Sequence, residues 1–452
     1  MHFKLKLLFV ATCLLICNAL LAQDEERYNK QDSSESFSEP IGAIHFLKLK
    51  KSYSFGDGIT LRSTNGNFNV SQSLQTLYTF SSAFKNLSNA TSGFNIARAR
   101  LTLVSNLFDK KLSTVMRVNL PANYQSTTTG VRTFNTTLQE AYIEYRPNRK
   151  HVFNIGLRAD YIDSRETRIE GESLGFVDRS AVSASFDAIF DYGIRYKGNY
   201  KLGGNHLLKP YASITTGDSR SALQKNFGGF KYGIRLDYLP FGAFTSGGEF
   251  YMDDLQRERK AKLVIGVIAS YNDGASSASG TNGGRFIYAD TLQQNILLPK
   301  YTKLGVDYLF KYKGFYSMGS LFTTQATVPD NIKGEYRLNG TFNTYSTAQT
   351  AAQTTNIVLS RLNLGTGLNM QAGYVFPSDF AVGFRFTNLN SNTISANFAD
   401  YNKFYDLVFS KYLANHNCKI QFQISFDELQ NALKTTTQNG IYYTQLMFTV
   451  QL

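Results

Sequence analysis

Apolar and polar residues alternate one by one along much of this chain. Counting in twos from Ala97 gives Ala97, Ala99, Leu101, Leu103 and Leu107, broken only by Ser105, while Arg98, Arg100, Thr102 and Asn106 lie between them. After Phe108-Asp109-Lys110-Lys111 the alternation resumes, with Leu112, Thr114, Met116, Val118 and Leu120 set against Ser113, Arg117 and Asn119. A period of two on both arms of a short turn predicts a strand pair with one apolar and one cationic face. Similar runs recur. Phe153, Ile155, Leu157, Ala159 and Tyr161 alternate with Asn154, Gly156, Arg158 and Asp160, and Tyr232, Ile234, Leu236 and Tyr238 alternate with Lys231, Gly233, Arg235 and Asp237. Ala261, Leu263, Ile265, Val267, Ala269 and Tyr271 oppose Lys262, Gly266 and Ser270, and Cys418, Ile420, Phe422, Ile424 and Phe426 oppose Lys419, Gln421, Gln423 and Ser425. A soluble sheet with its charges in water produces this pattern, and so does a sheet with lipid on one face and a pore on the other.

The connections between the runs separate these two cases. Tight turns fall around residues 108–111, 146–151, 200–206, 311–314, 377–379 and 413–417, with one longer charged link at about 240–260 on the same side. Long connections rich in Gly, Ser, Asn and Thr fall around 81–93, 121–136, 162–190, 217–229, 272–300, 325–361, 388–402 and 428–440. Short and long connections alternate in strict parity. The parity implies sixteen strands, provided that the stretch around 244–253 is part of a turn region and not a strand. The expected fold is all-β, a transmembrane antiparallel β-barrel of about sixteen strands with short periplasmic turns and long external loops. No stretch after the leader has the roughly 18 apolar residues of a membrane helix.

The chain begins with Lys4 and Lys6, an apolar run over residues 7–16 and Ala19-Leu20-Leu21-Ala22-Gln23, the features of an export signal cleaved after Ala22. Lipid attachment at Cys13 or Cys17 is the competing reading, but Thr12 and Ile16 are not the small residues such a site takes. The expected organisation is a signal peptide over 1–22, a flexible periplasmic arm over 23–57 and an outer-membrane barrel over 58–452. Loss of the leader removes two of three cysteines and leaves Cys418 alone, so no internal disulfide framework is expected. Tyr and Phe together number 63 (28 + 35), and Trp is absent. Without Lys4 and Lys6 the charge is +11, from 45 bases against 34 acids. In an exported protein this balance points to anionic solutes or outer-membrane lipid head groups and not to nucleic acid.

The final residues IYYTQLMFTVQL place Tyr442, Leu446, Phe448, Val450 and Leu452 on one face, and resemble the C-terminal strand by which outer-membrane barrels are recognised for assembly. Leu452 stands where that signal usually has an aromatic residue. Further resemblance lies in SYSFGDGITLRSTNGNFNVSQSLQTLYTF from Ser52, FNIARARLTLVSNLFDKKL from Phe94, AYIEYRPNRKHVFNIGLRADYIDSRE from Ala141, DAIFDYGIRYKG from Asp187 and YTKLGVDYLFKYKGFYSMGS from Tyr301. Together these stretches resemble the phosphate-selective porin O/P family. The resemblance implies a sixteen-stranded barrel, usually a homotrimer, whose arginine- and lysine-lined pore passes phosphate and related small anions. Arg98 and Arg100 match the family's basic pair on its second strand. On the first strand the family usually carries Arg-x-Gln, and this chain has Ser73-Leu74-Gln75.

A sixteen-stranded ring is too wide for wall side chains alone to fill, so a water channel is expected inside it. The polar faces then supply pore-lining bases, with Arg98, Arg100, Arg117, Arg158, Arg235 and Lys262 as candidates. Arg98 and Arg100 lie about 7 Å apart along their strand, near enough to pass an anion between them. Guanidinium groups offer phosphate a bidentate fork, and a row of partly solvated cations releases an ion more readily than one deep pocket. The third external connection, 162–190, is the one expected to fold inward as a constriction. It carries Arg165, Arg168 and Arg179 against Asp163, Glu166, Glu170, Glu172, Asp178 and Asp187, a net charge of −3.

The sequence offers no enzyme. His45 lies in the arm and His151, His206 and His416 at short turns, where none can join a serine or carboxylate at the external rim, and their spacing makes no metal site. No phosphate-cradling glycine loop or other cofactor motif is present. Glu140 and Glu144 are expected to pair with bases such as Arg158 across the sheet. The leading expectation is a passive anion porin. Its rivals are a general diffusion pore of weak selectivity, a plugged barrel acting as a structural or adhesive platform, and a soluble exported β-sandwich array.

Overall fold

The computed structural model describes residues 50–83, 86–126, 132–218, 228–276, 286–290, 295–336, 341–391, 401–435 and 438–452. The expected leader and most of the expected arm lie outside them. A hairpin comes first, β1 (Lys50–Ser54) and β2 (Gly58–Ser63), so the last residues assigned to the arm are a paired strand. The ring then begins with β3 (Gly66–Ala83), β4 (Asn86–Leu107), β5 (Leu112–Ser126), β6 (Arg132–Tyr145), β7 (His151–Ala159) and β8 (Phe190–Gly198), the last followed by β9 (Tyr200–Gly203). It continues through β10 (His206–Thr215), β11 (Lys231–Leu239), β12 (Lys262–Asn272), β14 (Lys300–Tyr312), β15 (Phe315–Thr327), β18 (Gly365–Val375), β19 (Phe380–Ser391), β20 (Tyr401–Ala414), β21 (Cys418–Leu429) and β22 (Gly440–Gln451).

Counting β8 and β9 as one stave, these are sixteen, each antiparallel to its neighbours, as the alternation of connections requires. The ring closes where β22 pairs with β3, from Ile441↔Ala83 to Gln451↔Ser73. A single closed sheet rules out the two-sheet sandwich and leaves no free edge within the ring. Residues 240–261 hold no strand.

Burial along β11 is the reverse of a soluble protein. Tyr232, Ile234 and Leu236 are 47%, 64% and 43% exposed, whereas Lys231, Arg235 and Asp237 are buried. Apolar side chains point outward and charges point into the ring, the arrangement expected when lipid is the outer solvent. Turn chemistry sets the hairpins. Lys313 and Gly314 both have positive φ, 49° and 94°, in the two-residue turn between β14 and β15, a conformation that matches strand twist and that glycine adopts without strain.

Two of the expected long connections are not long. β3 and β4 remain paired up to Ala83↔Asn86, and β5 and β6 from Leu112↔Tyr145 to Ser126↔Arg132, so much of 81–93 and 121–136 is strand. Their polar composition suits strands that rise beyond the lipid, since 22 residues of β4 at about 3.3 Å each far exceed a membrane crossing. In β4 the alternation changes phase at a bulge: Gln75 faces Arg98 while Thr76 faces Ile96, leaving Ala97 as the extra residue. Arg98 and Arg100 therefore turn inward, although Ile96 and Phe94, at the same parity, lie on the exposed outer face.

On the long-connection side, β13 (Ile287–Ala289), β16 (Gly334–Tyr336) and β17 (Phe342–Thr344) form a small separate sheet. With the helix Ala351–Ser360 they cover a core that includes Phe286, Tyr288, Ile332, Val358 and Leu362.

Candidate functional site

Residues 160–189, between β7 and β8, fold into the ring. The segment is rich in charges whose partners stand on the inner wall. Asp163 and Asp187 accept from Lys303 of β14 at 2.8 and 3.2 Å. Arg165 reaches Asp237 of β11 at 2.9 Å and Asp307 of β14 at 3.2 Å, and Arg168 reaches Asp237 at 2.9 Å. Glu166 lies 3.5 Å from Arg385 of β19, and Glu172 lies 2.9 Å from Arg100 of β4. Glu170 and Asp178 meet Arg117 and Arg98 at 2.7 and 2.8 Å. Gly171 lets the segment approach the wall closely here, because a Cβ at that position would lie 2.8 Å from Arg98 Nε.

A second segment enters from the opposite end. Residues 240–261, between β11 and β12, are anchored by Lys209 to Glu249 at 2.5 Å, by Tyr412 and His416 to Asp253, and by the backbone N–H of Gly314 to Asp254 at 2.7 Å. The two segments meet where the Met252 N–H donates to the Ser173 carbonyl at 3.4 Å. Around that junction Leu174, Phe176, Phe244 and Met252 pack with inward-facing Val264, Leu309, Tyr316, Met318, Val408 and Tyr412. Much of the barrel interior is thus a hydrophobic core and not open water. The expectation of a channel across the whole bore is corrected: two inserted segments supply the volume that wall side chains lack.

Ion pairs close further parts of the interior. Arg235, expected at the pore surface, is enclosed, donating to Asp237 at 2.7 Å and Asp307 at 2.6 Å. Gly266 makes room for this cluster, since a Cβ there would lie 2.4 Å from Arg235 Nη2. Asp160 joins Lys231 at 2.8 Å and Arg195 at 3.4 Å, and Arg385 holds Asp406 at 2.7 Å. Lys262 lies at the short-turn rim and donates to the Phe241 carbonyl at 3.0 Å, away from the other candidates.

Among the described residues, one space lies against β4 to β8. It is a cavity of about 230 Å³ that includes Arg100, Arg117 and Arg158 of the wall, Arg168 and Arg179 of the inserted segment, and Glu140 and Glu170. Five arginines against two glutamates give this lining a net charge of +3 (5 − 2). Arg117 is shared between Glu140 at 2.9 Å and Glu170 at 2.7 Å, and Arg158 lies 3.3 Å from Glu144, as expected for that carboxylate. Arg158 also stacks on Tyr142 and Tyr161, 4.4 and 4.7 Å from the ring centres. The Nε atoms of Arg100 and Arg158 are buried and donate to no protein acceptor. Arg98 stands apart from this lining, held by Gln75 at 2.7 Å and Asp178 at 2.8 Å.

Ser73, at the first-strand position where the resemblance implies an arginine, donates its hydroxyl to Glu172 at 2.6 Å. Burial alone would raise the pKa of Glu172. Arg100, Ser73, Arg98 and Arg117 outweigh burial and hold it at about 2, and Asp178, whose side chain is exposed, is lowered chiefly by Arg98.

No protein-family model matches the chain, and no curated protein matches it in sequence. Solved structures do resemble it in shape. The high-pH structure of OprB from Pseudomonas putida aligns over 85% of this chain and 94% of its own, at 6% identity and a TM-score of 0.50. OmpF of Salmonella typhi, solved with daunomycin, aligns over 89% and 100% at 10% identity and 0.48. An anion-selective porin from Comamonas acidovorans aligns over 86% and 100% at 8% identity and 0.47. The fold, a closed sixteen-stranded antiparallel β-barrel, is shared with OprB. At these identities the likeness is one of fold alone. In that fold the short turns are periplasmic and the long connections external.

Of the candidates named from the sequence, Arg100, Arg117, Arg158, Arg168, Arg179 and Glu170 share this cavity, whereas Arg98, Arg235 and Lys262 do not; Phe250 and Tyr161 also line it and were not among the candidates. Val264 and Ile268 were the available signal for a filled interior, being apolar residues on the otherwise polar face of β12, and both are buried.

Proposed function

We propose that this protein is an outer-membrane porin whose solutes are small anions, carried along the arginine-lined cavity between the inserted segment 160–189 and the wall of β4 to β8. The observation that carries the reading is the cavity itself, with net positive lining and two buried guanidinium Nε donors left for a solute or its water. Low-dielectric walls on both sides focus the field of these arginines and raise the local concentration of anions. Arg100, Arg117, Arg158 and Arg168 already share their charge with carboxylates, which keeps any one site weak enough to release what it holds. Phosphate-type solutes are implied by the family resemblance and suit the bidentate fork of arginine. The same resemblance implies a homotrimer.

Reversal potential across a salt gradient in planar bilayers tests the reading. Arg117→Ala with Arg158→Ala removes two positive charges from the lining, and the ratio of anion to cation permeability is expected to fall. The fall should be larger at low salt, as the Debye length grows from about 8 Å at physiological ionic strength to about 30 Å at 0.01 M. An unchanged reversal potential in a folded variant removes the arginines from the selectivity mechanism. The packed interior favours a second reading, a plugged barrel serving as a platform, which predicts no open-channel current from the wild type.

A further inference from the structure

The link 240–261 is far longer than the other short-side turns, and it reaches the same cavity from the periplasmic side. Its anchors span the half of the ring that runs from β10 to β20. Glu249 is held by Lys209 of β10, while Asp253, Asp254 and Arg257 engage the ends of β20, β15 and β18 through Tyr412, the Gly314 N–H and the Val375 carbonyl. The Thr245 N–H and hydroxyl both donate to Glu258, closing the link on itself at 2.5 and 2.9 Å. Phe250 points the other way. Its ring is part of the cavity lining, with the Arg168 guanidinium 5.9 Å and the Lys197 ammonium 5.3 Å from its centre. Lys197 belongs to the periplasmic half of β8 and was not among the bases singled out from the sequence.

We infer that Phe250 and Lys197 form the periplasmic exit of the anion path, Phe250 setting the largest solute that passes and Lys197 favouring negative charge. The inference rests on the porin reading and deepens it. Phe250 is the apolar side chain that the link contributes to a largely cationic cavity. An aromatic ring beside two cations is held by its quadrupole and presents the solute with a rigid, uncharged edge. It narrows the path without adding a charge that would trap an anion. The arginines attract, and the ring limits size.

The test uses the full-length barrel in planar bilayers, with Phe250→Ala, Phe250→Leu and Lys197→Gln, each shown to fold by heat-modifiable migration in detergent. Phe250→Ala is expected to raise single-channel conductance and to shift the exclusion limit for neutral polyethylene glycols upward. Its reversal potential should stay as in the wild type. Phe250→Leu, which keeps an apolar plug, should fall between the two, and Lys197→Gln should lower the anion-to-cation permeability ratio at nearly unchanged exclusion size. If the wild type conducts and Phe250→Ala matches it in conductance and exclusion, the inference fails and the porin reading stands. If neither conducts, the porin reading fails and takes the inference with it. If only Phe250→Ala conducts, the ring closes the barrel in the wild type, and both the inference and the porin reading fail in favour of a plugged barrel.

Discussion

At the scale of residues, the interior depends on carboxylates that stay ionised while buried. Glu172 is the clearest: enclosed against Arg100 and holding the Ser73 proton donor, it has a folded pKa of about 2 where the ordinary value is 4.5. A depressed carboxylate contributes stability above its unfolded value and loses it as pH falls through the folded value. The contact between segment 160–189 and β4 should therefore persist below pH 4.5 and give way only as pH approaches 2. Open-channel noise and conductance recorded across a pH series check this, with no step near 4.5 and a change at the acid end. Glu172→Gln leaves Arg100 buried without its counter-charge, a loss of about 3–5 kcal/mol for such pairs, and should show the loosened behaviour already at neutral pH. A step centred at the ordinary carboxylate value in the wild type would mean that Glu172 is solvated.

At the scale of elements, each strand separates two solvents, and its two faces should respond oppositely to the same chemical change. Ile234, 64% exposed at the middle of β11, faces lipid, while its neighbour Arg235 is enclosed with Asp237 and Asp307. Ile234→Arg should cost roughly 2–4 kcal/mol near the bilayer midplane and reduce the heat-modifiable, assembled fraction. A full yield of assembled barrel would mean that this face does not meet lipid. The faces of β11 were legible in the sequence because strand alternation is local and this strand has no bulge. In β4 the bulge at Ala97 reverses the phase between Ile96 and Arg98, so only the stretch from Ala97 onward could be read by counting in twos.

At the scale of the whole molecule, the barrel is stabilised both by its wall and by a core inside it. Met252 is fully buried between segment 160–189 and the wall, and its sulfur accepts from the Gly175 N–H at 3.2 Å. Met252→Ala should cost roughly 2–5 kcal/mol of the packing that holds the link. Because the hydrogen-bonded ring does not run through Met252, the wall should still migrate as folded in detergent while protease cleavage within 240–261 becomes faster. Equal protease resistance in the variant would show that the link is held by its ion pairs and not by this core.

The sequence by itself determined the wall: sixteen strands, the alternation of their connections, the inward direction of Arg98, Arg100, Arg117 and Arg158, and the charged character of 160–189. These follow from period-two patterning and from the composition of turns, both encoded within a few residues of where they act. The contents of the interior were decided by tertiary structure. Arg235 reads as a pore residue like Arg158, yet it is enclosed because Asp307, 72 residues away, stands on the strand two places along the ring and Arg165 arrives from the inserted segment. Likewise the link 240–261 reads as a long charged turn. It becomes part of the core because Tyr412 and His416, more than 150 residues later in the chain, close beside Asp253 when β20 and β21 take their places. Alternation tells a side chain which way to point, and only ring closure brings together the distant groups that determine whether it meets water, a counter-charge or a packed core.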